Sequence, residues 1–321
     1  MSDAGGAPRL LLSETCRQRL GDRIRELAGA RALHLVTPED GNANLAFVSR
    51  DVTGLSTKHE TLPPTQRFYD AMALSPRLRW VHVHSAGADR DIYQRLQARG
   101  VSLTTSPGTN AHVVAQSVLA AVLSLARRFP LLREAQAQHV WRPLILSGLP
   151  PDLGGQRATV VGWGPVGQHV ARYLAVFGVH TTVVRHRPTQ EGCDGPVVTY
   201  GAIDSVLPGT DWLILACPLT AQTRGLIGAQ RLGLLSRGAH VINVARGAVL
   251  DEPALVAALR AGQLAGAYLD VFEHEPLPAD SPLWDLPNTL VTPHSAGFSA
   301  GNEARVDDMF LAHLRDWLHR H

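Results

Sequence analysis

Four places in the second half of this 321-residue chain put chemically active groups directly after apolar runs: Cys217-Pro218, Arg246, Asp270 and His294. Arg246 follows Val241-Ile242-Asn243-Val244-Ala245, and His294 follows Leu290-Val291-Thr292-Pro293. A guanidinium can hold a carboxylate in a fork and polarise a neighbouring carbonyl oxygen. An imidazole suits proton transfer because its ordinary pKa lies near neutrality. A nearby carboxylate would orient the ring and favour its charged form, and both Glu273 and Glu275 are candidates. The chain has 15 histidines, most of them necessarily ordinary, so His294 is singled out by position and not by type.

A second constellation lies upstream. Thr159 to Val161 form a β-branched run, and Gly162, Gly164 and Gly167 follow in the spacing G-x-G-x-x-G around Trp163, Pro165 and Val166. A helical pattern then runs from Gln168 to Phe177. Gly162 would make the tight turn, Gly164 would let backbone approach a pyrophosphate, and Gly167 would let the helix pack closely on its strand. Strand, glycine turn and helix in this order point to a dinucleotide site.

The elements that must position these groups alternate between strand and helix. Residues 1 to about 30 read as a polar lead-in and an amphipathic helix with Leu20, Ile24 and Leu27 on one side. Strand patterns follow at Ala32–Val36, Leu45–Ser49, Trp80–His84 and Val101–Thr104, with a helix around Gln66–Leu74 after Pro63-Pro64. Two small-residue loops, Ser85-Ala86-Gly87-Ala88-Asp89 and Ser106-Pro107-Gly108, end the last two strands. Asn110 is placed to cap a helix over Ala111–Arg128, apolar nearly all round and therefore expected at a domain or subunit junction. After a Pro/Gly loop and the glycine motif, strands are expected at 181–184, 197–200, 212–216, 240–244, 267–269 and 289–291. Asp251 caps a helix over Pro253–Ala261, and Ala304–Trp317 reads as a final amphipathic helix. Such alternation makes parallel, doubly wound α/β sheets, with ligands at the carboxyl ends of the strands.

Composition narrows the function classes. Hydrophobic residues make up 45% and charged residues 18%, with net charge +2 and no long basic run, so nucleic acid is not an expected partner. The apolar stretch Val118–Ala126 is too short to span a bilayer, and the start of the chain, with Asp3, lacks a signal pattern. Cys16, Cys193 and Cys217 have neither disulfide parity nor metal spacing, so no metal is expected and a reducing, cytoplasmic setting fits.

Several motifs resemble the signatures of the D-isomer-specific 2-hydroxyacid dehydrogenases. They are Asn243-Val244-Ala245-Arg246-Gly247, the run Leu269 to Pro276 and Thr292-Pro293-His294-Ser295-Ala296-Gly297, joined by Gly162–Gly167 and Pro218-Leu219-Thr220. The resemblance implies two Rossmann-like domains: a discontinuous substrate domain of residues 1–108 and 296–321, and a dinucleotide domain of 109–295. It implies a catalytic trio in which Arg246 binds the substrate carboxylate and carbonyl, His294 donates a proton and Glu275 holds His294 protonated. Glu273 then matches a less critical position. It also implies that the Ala86 and Gly87 N–H groups cradle the substrate carboxylate and that Asp270 meets the nicotinamide carboxamide. Cys217, Pro218, Thr223, Val244, Ala245, Ala296 and Gly297 would border the cofactor, and the protein would be a homodimer. Gln116 and Val113 depart from the family pattern without touching the trio.

The residue ending the second strand of the dinucleotide sheet selects the cofactor. Counting from the glycines places Arg185 there, with His186 and Arg187 beside it and Glu191 and Asp194 later than an acidic selector would stand. Arginine pairs with a 2′-phosphate, so NADP(H) is the expected preference and NAD(H) the alternative. The implied reaction is reduction of a 2-ketoacid such as glyoxylate or hydroxypyruvate to the D-2-hydroxyacid. A dehydrogenase of another small acid, and a dinucleotide-sensing protein on the same scaffold, are the competing readings.

Overall fold

The computed structural model describes residues 6–56, 60–189 and 192–321, so Asp3 and Glu191 lie outside the described residues. Two compact units divide the chain, Met1–Thr109 with Ser299–His321 and Asn110–Phe298. The expected boundaries, after residues 108 and 295, fall one and three residues earlier than these.

In the first unit five strands pair in parallel: β1 (Arg9–Leu11), β2 (His34–Val36), β3 (Leu45–Val48), β4 (Trp80–Val83) and β5 (Ser102–Thr105). Their order is β2-β1-β3-β4-β5, which is the flavodoxin-like variant of the doubly wound sheet. Helices α1 (Glu14–Ala28), α2 (Arg50–Thr53), α3 (Pro63–Ala73) and α4 (Asp91–Ala98) form its crossovers. β1 corrects the reading of a polar lead-in. Leu10, Leu11 and Leu12 are at most 1% exposed, and three residues are too few to show a strand period.

Ser13 caps α1 by accepting the Cys16 N–H at 3.0 Å. The apolar stripe of α1, Cys16, Leu20 and Ile24, packs with Val306, Phe310, Leu314 and Leu318 of the last helix, Asn302–Arg320. Phe310 stacks on Phe47 at 4.1 Å, and Arg19 grips Asp307 in a fork of 2.8 and 3.0 Å. Burying each such large apolar side chain stabilises the unit by about 1.5–3 kcal/mol.

The second unit opens with α5 (Ala111–Ala126) and α6 (Phe129–Ala137). Its seven strands are β6 (Arg157–Val161), β7 (His180–Arg185), β8 (Val197–Thr199), β9 (Trp212–Leu215), β10 (Ala239–Asn243), β11 (Leu264–Leu269) and β12 (Thr289–Val291). All pair in parallel, in the order β12-β11-β10-β9-β6-β7-β8. From β8 to β11 this is the Rossmann order, with β12 added at one edge. Helices α7 (Pro165–Val176), α8 (Ala229–Leu234) and α9 (Glu252–Arg260) complete it, and the final helix of the chain is α10.

Asp251 caps α9 through the Ala254 N–H at 2.9 Å, as its sequence position suggests. Asn110 holds the N-cap position of α5 but makes no side-chain capping bond there. One face of α5, including Ala115, Val118 and Val122, is buried in the core with Val160, Val170 and Ile214. Among the described residues no single helix is long and apolar enough to cross a membrane.

Candidate active site

Three neighbouring strands deliver the polar residues singled out in the sequence. Asn243 of β10 lies level with Leu269 of β11, which lies level with Val291 of β12. Just past that row come Arg246, Asp270 with Glu275, and His294, so their common location follows from parallel register. At this edge of the sheet, Glu275 Oε2 lies 2.8 Å from His294 Nδ1. Glu275 Oε1 accepts the Phe272 N–H at 3.0 Å, which fixes the carboxylate in its own turn. Glu273 is exposed and its backbone N–H is taken by Glu252, so the geometry separates the two glutamates.

His294 adopts φ 50°, an uncommon conformation for a non-glycine residue, and the buried Asp270 holds it there. The Asp270 carbonyl accepts the His294 N–H at 2.9 Å. Its Oδ1 accepts the Thr292 hydroxyl at 2.6 Å and the N–H groups of Ser295 and Ala296 at 2.7 and 3.0 Å. Burial raises the Asp270 carboxyl above its ordinary value, against the pull of those three donors. The visible work of Asp270 is therefore to shape the turn that carries His294.

Asn243 does the same for Arg246. Its buried side chain accepts the Ala245 N–H at 3.0 Å and donates to the Arg246 carbonyl at 3.2 Å. A Cβ on Gly247 would overlap the Phe272 carbonyl, so the backbone after Arg246 presses on the segment leading to Glu275. Asn243 and Gly247 stand in the quoted motif, but the sequence did not reveal these supporting roles.

The glycine turn fits a dinucleotide for a reason visible in the packing. Gly162 has φ +106°, and its Cβ would meet the Ala216 carbonyl oxygen at 2.6 Å; a Cβ on Gly167 would overlap the Gly162 carbonyl. Protein atoms thus demand glycine at both places. A Cβ on Gly164 would meet nothing within 4 Å, yet Gly164 is the N-cap of α7 and no side chain caps that helix. Proline at the next position has no N–H to satisfy, and Val166 and Gly167 present theirs at the positive end of the helix dipole. A pyrophosphate is the group this terminus fits.

Arg185 ends β7, beside the glycine strand, and its Nη1 donates to the Thr189 carbonyl at 3.3 Å. His186 Nδ1 lies 2.8 Å from Gln222 Oε1, and Arg187 is exposed. Cys217 is buried and its thiol is pushed up to about 12 by that burial. Thr223 is fully buried; its hydroxyl donates to the Pro218 carbonyl at 2.6 Å and accepts the Thr220 N–H at 2.8 Å. It shapes the Pro218 loop from inside. Val244 is half-buried, while Ala245, Ala296 and Gly297 are buried at the strand ends.

In the first unit, the Ala86–Gly87 loop follows β4 and is braced by a network the sequence reading missed. Trp80 Nε1 donates to Thr104 Oγ1 at 2.9 Å, and Thr104 Oγ1 lies 2.8 Å from His82 Nδ1. His82 Nε2 lies 3.0 Å from Ser106 Oγ, which donates to the Val83 carbonyl at 3.1 Å. Because Ser106 gives its only hydroxyl proton to Val83, His82 must donate from Nε2 and accept at Nδ1. The Ser106 N–H also holds the Ser85 carbonyl at 3.0 Å, at the base of the loop.

A Rossmann sheet with a glycine turn that fits a pyrophosphate and a histidine–carboxylate pair at its carboxyl edge defines a dinucleotide-dependent oxidoreductase. Residues 119–296 match the family model described as D-isomer specific 2-hydroxyacid dehydrogenase, NAD binding domain. The chain is 36% identical over 274 residues to glyoxylate/hydroxypyruvate reductase B of Pectobacterium carotovorum, covering 82% of each. It is also similar to the solved NADPH-dependent glyoxylate/hydroxypyruvate reductase of Sinorhizobium meliloti in complex with NADP and malonate. That likeness has 28% identity and a TM-score of 0.73, covering 97% of this chain and 94% of that one. A D-isomer specific 2-hydroxyacid dehydrogenase of Xanthobacter autotrophicus, in complex with NADPH and MES, aligns with 29% identity and a TM-score of 0.74 over 98% and 96% of the two chains. The chain belongs to the D-isomer-specific 2-hydroxyacid dehydrogenase family.

Proposed function

We propose that this enzyme is an NADPH-preferring reductase of 2-ketoacids of the glyoxylate and hydroxypyruvate type, giving the D-2-hydroxyacid. The observation that carries the reading is the 2.8 Å pair of His294 and Glu275 at the edge that also delivers Arg246. A nicotinamide dinucleotide bound at the glycine turn would supply the hydride. Arg246 binds the carboxylate and polarises the carbonyl oxygen, which takes its proton from His294. With Nδ1 turned to Glu275, Nε2 is the ring nitrogen left to give the proton. Within the first unit the Ala86 and Gly87 N–H groups are suited to a carboxylate, and within the second Asp270 would meet the carboxamide of a bound nicotinamide.

Arg185, flanked by His186 and Arg187, supports the NADPH preference, since a guanidinium pairs with a 2′-phosphate that an acidic residue would repel. The S. meliloti reductase, similar in sequence and fold, was solved with NADP. We further propose a homodimer acting in the cytoplasm. The second unit exposes Phe129, Trp141, Ile145, Leu146 and Leu149, each at least 57% accessible, and clustered exposed apolar side chains mark an association surface. Sedimentation of the purified protein at twice the monomer mass supports the dimer; a monomer across the micromolar range rejects it.

Function is tested by mixing the protein with glyoxylate, hydroxypyruvate, pyruvate and a bulkier 2-ketoacid, each with NADPH or NADH, and following nicotinamide absorbance. Turnover that favours NADPH is expected. Turnover favouring NADH would keep the trio and reject the role of Arg185. Dinucleotide binding without any turnover would favour a sensing protein.

A further inference from the structure

Behind the turn that carries His294, a tyrosine hydroxyl is buried in the apolar core of the second unit. Tyr268, the last residue but one of β11, is 4% exposed and packs with Val118, Ile214 and Ile242. A buried tyrosine needs a partner for its hydroxyl, and Thr292 Oγ1 supplies one at 2.9 Å. Register brings them together. Tyr268 is level with Leu290, so Thr292 stands two positions beyond the residue opposite and on the same face of the sheet. Asp270 lies two positions beyond Tyr268 on its own strand and shares that face.

Counting protons fixes the direction of the bonds. The Thr292 hydroxyl donates to Asp270 Oδ1 at 2.6 Å; a carboxylate only accepts, and a threonine hydroxyl has one proton to give. Tyr268 must therefore donate to Thr292. Burial pushes the Tyr268 phenol up to about 12, so it keeps that proton at neutral pH. A hydroxyl that accepts a hydrogen bond donates a stronger one, so Tyr268 reinforces the hold of Thr292 on Asp270.

Three donors meet on one oxygen of Asp270. Oδ1 accepts the Thr292 hydroxyl together with the Ser295 and Ala296 N–H groups, and among the described residues no donor reaches Oδ2. A carboxylate pinned at Oδ1 offers Oδ2 to a donor from outside the protein. The turn itself has a further hold, because Ser117 of α5 donates to the Ala296 carbonyl at 2.9 Å. The Thr292 bond is therefore not needed to keep the turn in place, and orienting the carboxylate is the task left to it.

We propose that Thr292 and Tyr268 are positioning residues for the cofactor: acting through Asp270 Oδ1, they keep Oδ2 turned out to accept the carboxamide N–H of a nicotinamide. The proposal rests on the reading that Asp270 meets that carboxamide, and it assigns the orientation of the carboxylate to two side chains that touch no ligand. The site then distinguishes an amide, which has an N–H to give, from an acyl group of similar size that has none.

The test is calorimetric titration of the full-length protein with NADP+ and with its 3-acetylpyridine analogue, in which a methyl group replaces the carboxamide nitrogen. The unaltered protein should bind NADP+ more tightly by about tenfold or more, the scale of a hydrogen bond to a charged group. Asp270→Ala should bring the ratio near one. Thr292→Val, of similar shape, should lower it to about threefold or less, chiefly by weakening NADP+ binding. Thr292→Ser keeps the hydroxyl and should keep most of the ratio, and Tyr268→Phe should fall between Thr292→Val and the unaltered protein. Because Thr292→Val leaves the Tyr268 hydroxyl buried without its partner, the double variant with Tyr268→Phe replaces it should the single variant unfold, and the same low ratio is expected. A ratio left intact in Thr292→Val or the double variant overturns the proposal, even where both affinities drop together, for that would make Thr292 a structural support alone. An intact ratio in Tyr268→Phe removes Tyr268 from the arrangement. Equal binding of both dinucleotides by the unaltered protein, or a ratio that survives Asp270→Ala, instead rejects the contact between Asp270 and the carboxamide on which the proposal rests.

Discussion

The carbonyl oxygen of Gly162 occupies the space that a Cβ on Gly167 would need. The two glycines are therefore bound to each other by packing, whereas Gly164 faces open space and has an ordinary φ of −78°. Gly167→Ala should destabilise the fold by about 1–3 kcal/mol, the usual penalty for overpacking. Gly164→Ala should leave the thermal midpoint of the dinucleotide-free protein within a few degrees and weaken NADPH binding about tenfold or more. Calorimetric unfolding and a fluorescence titration separate the two effects. Normal NADPH affinity in Gly164→Ala would remove the assignment of that glycine to the pyrophosphate.

Acid should destabilise this protein early. Burial pushes His82 down to about 3, and His84 and His240 to about 4. An unfolded histidine titrates near 6.5, so the unfolded state binds these protons first as pH falls. The stability held by neutral, buried histidines is complete above about pH 6.5 and is lost progressively on descending toward pH 4 and then 3. Urea unfolding at pH 7.5, 6 and 5 should show a falling midpoint. A midpoint that stays level to pH 5 would contradict the assignment.

Removing the negative charge from the His294 pair tests the proton donor. Glu275→Gln keeps a side chain of the same shape but removes the carboxylate paired with His294 Nδ1. Reductive kcat should fall by roughly tenfold to a hundredfold with little change in KM, up to the lower end of what a general-acid group contributes. An unchanged kcat would mean that the proton donor does not need Glu275.

Cofactor choice can be inverted at one position. Arg185→Asp should lower kcat/KM for NADPH about tenfold or more while sparing NADH, since a carboxylate repels the 2′-phosphate and accepts from ribose hydroxyls. Steady-state rates with both cofactors measure this directly. Unchanged NADPH kinetics would show that Arg185 serves only its own loop.

Much of the architecture was legible because parallel strands buried on both faces leave short apolar runs, and the runs ending at Val161, Leu215 and Asn243 are of that kind. Chemistry-bearing residues directly after those runs were legible for the same reason. β1 was not, because Leu10 and Leu11 alone carry no period. The start of α7 at Pro165 was missed because proline there looks like a break, although its fixed φ suits the first turn. Asn110 was misread as a side-chain cap, for residue type gives position but not rotamer. The brace from His82 to Ser106 joins separate strands, and no local pattern announces such a contact.

The first unit takes β1 from one end of the chain and α10 from the other, with Phe310 stacked on Phe47 inside its core. On the ribosome the order of emergence then matters. Strands β1 to β5 leave the exit tunnel early but lack the helix that covers Leu10, Phe47 and Trp80 until residues 302–320 have been made. The intervening unit is continuous and can complete its sheet first. Translation thus leaves a half-built apolar surface waiting through the synthesis of nearly two hundred residues, about ten to forty seconds at common elongation rates. During that interval nascent chains are most exposed to chaperones and to one another.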